Sequence, residues 1–533
     1  MKKKRKFNVT GTCVPSRHYM VDIANKLDQI KLLIDEAEYF TINRGRQYGK
    51  TTTLTCLEEC LANEYEVISI SFEGLGDESF ADAEIFCQTL LKEMKTALRF
   101  SGASPEAQEN WTNPTLKSFD SLSDHITNIC ENKAIVLMID EVDQTSNNRV
   151  FLNFLGMLRS KFLARNKKRD FTFHSVILAG VYDIKNIRLK MMQEGVHQPT
   201  TTTEKMYNSP WNIAVNFKVD MSFSPTEIAT MLTDYEQDHQ TGMNITNVAE
   251  TIYYYTNGYP VLVSKLCQYM DNEVANFSEA GVVDATRLLV READNSLFRS
   301  ISQNLETNRD VYQLMYDVLI LGQRRSFSTD NPAVDLAYRY AYIRDDNAKI
   351  KISNRIFEIR MTDYFTSKDE TKIGESYTEN FILEVTRDGK FNMQLCLERF
   401  VIHWQELYSD KSDKFLEKEC RMLFLMYLKP LLNGVGFYHI ESALTDDRRM
   451  DLVVIYGKER FVLELKTWKG KLYNEQGVDQ LLGYLNKLDE KCGYLLTFDF
   501  RKNPEILKPR WLTHDDKQIF EVRTTTTNLL PND

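Results

Sequence analysis

Arg44-Gly45-Arg46-Gln47-Tyr48-Gly49-Lys50-Thr51-Thr52 lies between a short apolar run, Tyr39-Phe40-Thr41-Ile42, and a stretch from Thr51 to about Asn63 with helical spacing. A strand that passes through a glycine-bearing turn into a helix can wrap backbone N–H groups around a phosphate at the helix N-terminus. Within this cradle, Gly49 permits the close approach, Lys50 reaches the β and γ phosphates of a nucleotide, and Thr51 can ligate Mg²⁺. The first glycine of the usual pattern would fall on Arg44, and Gly45 comes one place late. Taken alone, the motif also fits a plain Gly-Lys turn at a helix start.

A second constellation lies downstream. Ile135-Val136-Leu137-Met138-Ile139 is continuously apolar, as a strand buried on both faces of a parallel sheet must be, and it ends in Asp140-Glu141. Ligands in α/β folds sit at the carboxyl ends of strands. There Asp140 would hold Mg²⁺ through water and Glu141 would polarise an attacking water. Asp143 reads as a helix cap.

Between and beyond these motifs, strand-like and helix-like segments alternate from Glu38 to about Phe217, which implies a parallel α/β sheet covered by helices. Tyr65–Phe72, His174–Gly180 and Asn212–Phe217 are further expected strands; Ala81–Leu98 and Leu116–Cys130 are expected helices; Asp183–Asn212 is an expected loop. Ser224-Pro225-Thr226-Glu227 suits a helix start, and Thr256-Asn257-Gly258-Tyr259-Pro260 suits a break between two helices. A small helical region with a wing-like hairpin around Ala341–Ile352 is expected next, followed by a polar linker. The division expected from these signals is 1–222, 223–365, a linker at 366–379, and 380–533.

The C-terminal part carries a geometric argument. Asp451-Leu452-Val453-Val454-Ile455-Tyr456 and Phe461-Val462-Leu463-Glu464-Leu465-Lys466 are strand-like. If the chain turns at Gly457-Lys458, with glycine at the first central position as a type II′ turn requires, Tyr456 pairs with Glu459. Counting outward then sets Asp451 opposite Glu464 on one face, with Lys466 two residues along. Two opposed carboxylates at the end of an otherwise apolar face repel each other unless a divalent cation, Mg²⁺ or Mn²⁺, lies between them. Lys466 would orient the attacking water or stabilise charge on a phosphate. The alternative is a solvated Glu464–Lys466 pair on a surface hairpin, against which the apolar character of both faces argues.

The totals limit the function classes. The 533 residues exceed one hydrophobic core, and there is no run of about 18 apolar residues to span a membrane. A net charge of −10 argues against nonspecific coating of DNA but leaves room for a local basic cleft. The nine cysteines are scattered, and Cys56 and Cys60 have no partner pair of zinc-ligand spacing nearby. The N-terminal Lys2-Lys3-Lys4-Arg5-Lys6 leads into no apolar stretch of the kind a signal peptide needs, so a reduced, cytoplasmic protein is expected.

Phe7 to about Cys267 resembles the AAA-like (STAND/Orc-related) ATPases, whose Arg-Pro-Arg-x-[Phe/Tyr]-Gly-Lys-[Ser/Thr] matches Arg44 to Thr51 except that Gly45 replaces the proline. The resemblance implies ATP as the nucleotide, with Val14 to Tyr19 near the adenine and Gly258-Tyr259-Pro260 in lid helices next to a winged-helix region. It also implies an arginine finger supplied by a neighbouring subunit, hence a homo-oligomer, with Arg159, Arg165 and Arg169 as candidates. Asp451 with Glu464-Leu465-Lys466, and Gln480-Leu481-Leu482-Gly483-Tyr484, resemble the PD-(D/E)XK nucleases and their Gln-x-x-x-Tyr extension. That implies a mixed sheet flanked by helices, Gln480 as a catalytic-site residue, and an early helix acid, Glu419 or Glu417, of which Glu419 shares a face with Leu416 and Leu423. Lys469, Lys471 and Arg501 are candidate phosphate contacts or plain surface charges. The expectation is an ATPase whose nucleotide state gates a nuclease acting on DNA ahead of RNA; the alternative is a nucleotide-switched regulatory protein that uses the nuclease fold only to bind.

Overall fold

The computed structural model describes residues 5–112, 116–142, 149–180, 211–292, 295–321, 323, 325–370, 385–386, 390–408, 413–432, 435–441, 451–501, 504–505 and 507–525. The chain divides into two compact units: Met1–Ala249 with Gly258–Gln268 and Arg339–Ala341, and Glu250–Asn257 with Tyr269–Tyr338 and Tyr342–Asp533.

In the first unit β1 (Tyr39–Asn43), β2 (Glu66–Ser71), β3 (Ile135–Asp140) and β4 (Ser175–Gly180) form a parallel sheet in the order β1-β4-β3-β2. It is covered on both faces by α1 (Ala24–Asp35), α2 (Lys50–Leu61), α3 (Ala83–Phe100), α5 (Phe119–Cys130) and α6 (Arg149–Asn166), with α4 (Pro105–Asn110) against α3. Alternation along β3 shows how. Ile135, Leu137 and Ile139 join a cluster with Leu90, Phe151 and Phe154, while Val136 and Met138 join Ile34, Leu54 and Leu57. Every residue of β3 is therefore buried, which is why its sequence lacks polar alternation.

The strand expected at Asn212–Phe217 is a correction. Among the described residues this segment contributes one parallel bridge, Val215 to Phe40. Buried Trp211 explains the difference: its indole N–H donates to Thr41 Oγ1 at 3.0 Å, and Ala214 N–H closes a turn on the Trp211 carbonyl, so the chain is already turning before it reaches the sheet. The loop expected at Asp183–Asn212 lies, up to residue 210, outside the described residues, as does Asp143.

Next come α7 (Pro225–His239), α8 (Ile245–Thr256) and α9 (Pro260–Tyr269). Ser224 and Glu227 form the expected capping box at the start of α7. The break before α9 depends on Gly258, at φ +72°, where a Cβ would fall 2.0 Å from the Phe223 carbonyl oxygen.

The second unit contains α10 (Glu279–Arg291), α11 (Ser296–Thr307), α12 (Arg309–Leu319), α13 (Pro332–Arg339), the hairpin β5 (Ile343–Asp346)–β6 (Lys349–Ile352) and α14 (Arg355–Glu370). Helix α14 runs through the start of the expected linker: Thr366 is buried and its hydroxyl donates to the carbonyls of Thr362 and Asp363. Residues 371–379 of that linker lie outside the described residues. After α15 (Met393–Tyr408) and α16 (Asp413–Leu432) comes a six-stranded mixed sheet. Its strands are β7 (Gly436–Glu441), β8 (Asp451–Tyr456), β9 (Glu459–Thr467), β10 (Cys492–Asp499), β11 (Arg510–His514) and β12 (Lys517–Thr525), in the order β11-β12-β10-β9-β8-β7. Strands β9, β10 and β12 are mutually parallel. Helix α17 (Lys471–Leu488) covers one face through Val478, Leu481 and Leu485 on Val462, Leu495 and Ile519. On the other, Phe400 and Trp404 of α15 meet Phe498.

Candidate nucleotide and carboxylate sites

The first site forms where β1 turns into α2. Gln47 and Gly49 adopt positive φ (57° and 80°), and Gly49 leads directly into Lys50, the first residue of the helix. Lys50 is buried, and its ammonium donates to the carbonyls of Arg44 (3.1 Å) and Gly45 (3.2 Å). The Tyr259 hydroxyl donates to the Arg46 carbonyl at 2.6 Å, so successive carbonyls of the loop are held by side chains. Arg44 donates to the Asn43 and Val219 carbonyls, and Tyr48 shares a 2.6 Å hydrogen bond with Ser222. Arg46, Gln47 and Thr51 are exposed, and Thr52 Oγ1 accepts from the Cys13 N–H. The departure at Gly45 has a local cause. A Cβ there would lie 3.0 Å from the Tyr340 carbonyl oxygen and 3.2 Å from Ala341 Cβ, so the backbone of 340–341 occupies the space that a proline ring would crowd.

Asp140 at the end of β3 faces this loop: the Thr51 hydroxyl donates to Asp140 Oδ2 at 2.6 Å. Two oxygens this close, one on a helix N-terminus and one on a buried carboxylate, fit a shared Mg²⁺. Glu141 follows in left-handed conformation (φ 53°), with its N–H donating to Asp140 Oδ1 at 2.9 Å. A non-glycine residue there costs on the order of 1 kcal/mol, a cost typical of functional sites. Arg165 is committed elsewhere, donating to the carbonyls of Phe173, His174 and Ala37 at the amino end of the sheet; Arg169 is exposed and Arg159 half-buried.

The second site follows the hairpin register. Tyr456 pairs with Glu459 across Gly457 (φ +60°), and Asp451 stands opposite Glu464. Lys466 lies two residues further on the same face; its ammonium is 3.8 Å from Glu464 Oε1, and the two residues are 3% and 0% exposed. Gly477 of α17 makes room for that lysine, since a Cβ there would lie 2.6 Å from Nζ. Gln480 is on the same helix, and its Oε1 is enclosed with no hydrogen-bond partner among the described residues. Glu419 lies on α16, and its side chain falls outside the described residues. Backbone register instead adds Glu441, paired with Asp451, as a third acidic position in the Asp451–Glu464 row.

Strands β11 and β12 supply residues that sequence reasoning missed. Glu521 lies in the same row beyond Leu495, buried and held by Arg510 (2.9 and 2.8 Å) and Asn474 (2.8 Å). Arg523 shares a row with Thr497 and Lys466. Their sequence signal was present: the Asp515-Asp516 turn between two alternating runs marks a hairpin.

Residues 15–323, more than half of the chain, match the AAA-like domain family. No curated protein matches the chain. Similar solved structures include the Walker-type ATPase of Pyrococcus abyssi, with a TM-score of 0.45 and 13% identity over 67% of this chain and 99% of that one. Others are Cdc6p of Pyrobaculum aerophilum (TM-score 0.28, 13% identity, 68% and 97% covered) and the ORC2 protein of Aeropyrum pernix (0.33, 12%, 69% and 98%).

Proposed function

This chain belongs to the AAA-like domain family, and we propose that it hydrolyses ATP and that its nucleotide state gates a Mg²⁺-dependent phosphodiesterase of the PD-(D/E)XK type acting on nucleic acid, DNA ahead of RNA. Register carries the second half of this proposal: Asp451 opposite Glu464, with Lys466 on the same face, beneath α17. Glu464 is buried with the Lys466 ammonium 3.8 Å away, and the second carboxylate that register sets opposite it adds negative charge that a divalent ion would offset.

In the first site the Lys50 ammonium, which donates to the Arg44 and Gly45 carbonyls, would exchange them for the β and γ phosphates of a bound nucleotide. Thr51 would hold Mg²⁺ directly and Asp140 through water, and Glu141 would polarise the attacking water and accept its proton. In the second, Asp451 and Glu464 would hold Mg²⁺ or Mn²⁺, Lys466 would align the attacking water or a phosphate oxygen, and Gln480 Oε1 would accept from that water. At both sites the divalent ion, when bound, supplies positive charge against the phosphate oxygens. Arg159 and Arg169 remain candidates for a finger acting between subunits of a homo-oligomer.

The test is cleavage of DNA and RNA with Mg²⁺ or Mn²⁺, with and without ATP, for the parent and Asp451→Ala. Asp451→Ala should abolish cleavage and metal-induced thermal stabilisation while leaving ATP hydrolysis within about twofold, roughly 0.4 kcal/mol in barrier. A parent that neither cleaves nor gains stability from metal would transfer the proposal to the regulatory-module alternative.

A further inference from the structure

Beyond Lys466, at the carboxyl ends of β9, β10 and β12, lies a cationic group that the chemistry above does not use. Arg523 is 8% exposed, and its Nε is enclosed with no hydrogen-bond partner among the described residues. No hydrogen bond from its guanidinium is found among the described residues; the Asp499 carboxylate is 3.8 Å from NH1, beyond hydrogen-bond reach. Neighbouring polar groups are otherwise engaged. Asp499 is held by Arg501 through Nε (2.9 Å) and NH2 (2.6 Å), and Glu521 by Arg510 and Asn474.

A buried donor group without acceptors is rare and calls for an explanation. Trp468 orients this one: the Arg523 guanidinium lies 3.8 Å from the indole centroid, and Arg501 lies 4.9 Å from the same ring. Two guanidiniums flank the Asp499 carboxylate, and exposed Glu505 is a further acid acting on both. Gly470, two residues after Trp468, is the N-cap of α17 and makes no side-chain cap hydrogen bond.

We propose that Arg523, with Arg501 and Trp468, forms a phosphate-binding subsite beside the carboxylate site. Arg523 stands two strands from Lys466 in the same row, about 10 Å between backbones. It therefore meets a phosphate neighbouring the one Lys466 serves, which fits a polynucleotide better than a lone phosphomonoester. This assignment rests on the phosphodiesterase proposal for its ligand, but the anion site itself does not.

The experiment separates the two. Melting of the full chain is followed with and without inorganic phosphate in a Lys50→Ala background, so that the P-loop does not respond. Phosphate should raise the melting temperature of Lys50→Ala and fail to raise that of Lys50→Ala with Arg523→Met, which keeps an apolar stem against Trp468. Arg523→Lys should restore part of the shift, and Arg501→Met is the second variant should Arg523→Met not fold. In cleavage assays Arg523→Met should raise KM for an oligonucleotide about tenfold with kcat nearly unchanged. It should also flatten the salt dependence of log KM by about one. A phosphate response equal in the two backgrounds, or absent from both, overturns the subsite. If the response depends on Arg523 but the parent cleaves nothing, the subsite stands and the phosphodiesterase proposal falls.

Discussion

Gly477→Ala tests whether the Lys466 ammonium is positioned by α17. A Cβ at 477 would lie 2.6 Å from Lys466 Nζ and 2.8 Å from both Cδ and Cε. Non-bonded heavy atoms prefer roughly 3.5–4.0 Å, so the lysine end must retreat by about 1 Å. Lys466 is almost wholly buried beside Glu464, so the retreat carries the ammonium out of its place in the row. A 1 Å displacement of a catalytic group costs on the order of 100-fold in rate, or about 2.7 kcal/mol. Stability should change far less, because alanine gains about 1 kcal/mol over glycine in a helix while overpacking costs about 1–3 kcal/mol. Gly483 is the control: it is on the same helix, and nothing among the described residues lies within 4 Å of a Cβ placed there. Single-turnover cleavage and thermal melting of both variants decide the matter. Gly477→Ala should lose kcat with KM held, and Gly483→Ala should cleave like the parent and melt slightly higher. Parental kcat in Gly477→Ala refutes the positioning of Lys466 by this helix.

Two further outcomes concern the N-terminal unit. Glu141→Gln should retain ATP binding but lose about 100-fold or more in turnover, since it keeps shape and hydrogen bonding but no longer accepts a proton; titration with a fluorescent ATP analogue and phosphate release check both halves. Burial pushes His18, His125 and His174 below the ordinary histidine value, with Arg17 and Lys6 adding at His18 and Arg165 at His174. The unfolded chain therefore takes up protons first as pH falls below about 6.5, and the folded state loses stability from there downward. The melting temperature should drop between pH 7 and 5, and His174→Gln should reduce that slope; an unchanged slope counts against the burial account.

Local chemistry was legible without any structure. The order strand, Gly49-Lys50-Thr51, helix follows from neighbouring residues, as does the Asp451–Glu464 register, because a two-residue turn at Gly457 leaves only one way to count outward. Such features depend on dihedral preferences and on period-2 or period-3.6 repetition, all written within a few residues. Other features were decided only when distant elements packed. The sequence of β12 alternates Phe520 and Val522 with Glu521 and Arg523, the pattern of a strand with one wet face. In the fold both faces are covered, because α17 lies over the charged side and Asn474 reaches Glu521. Likewise Trp211 turns the chain at a point where apolar content alone suggested a full strand, and the backbone at Tyr340 meets the P-loop glycine from almost 300 residues away. Adjacent residues encode how a segment is shaped; which segments become neighbours, and hence which charges are stripped of water, is set by burial summed over the whole unit.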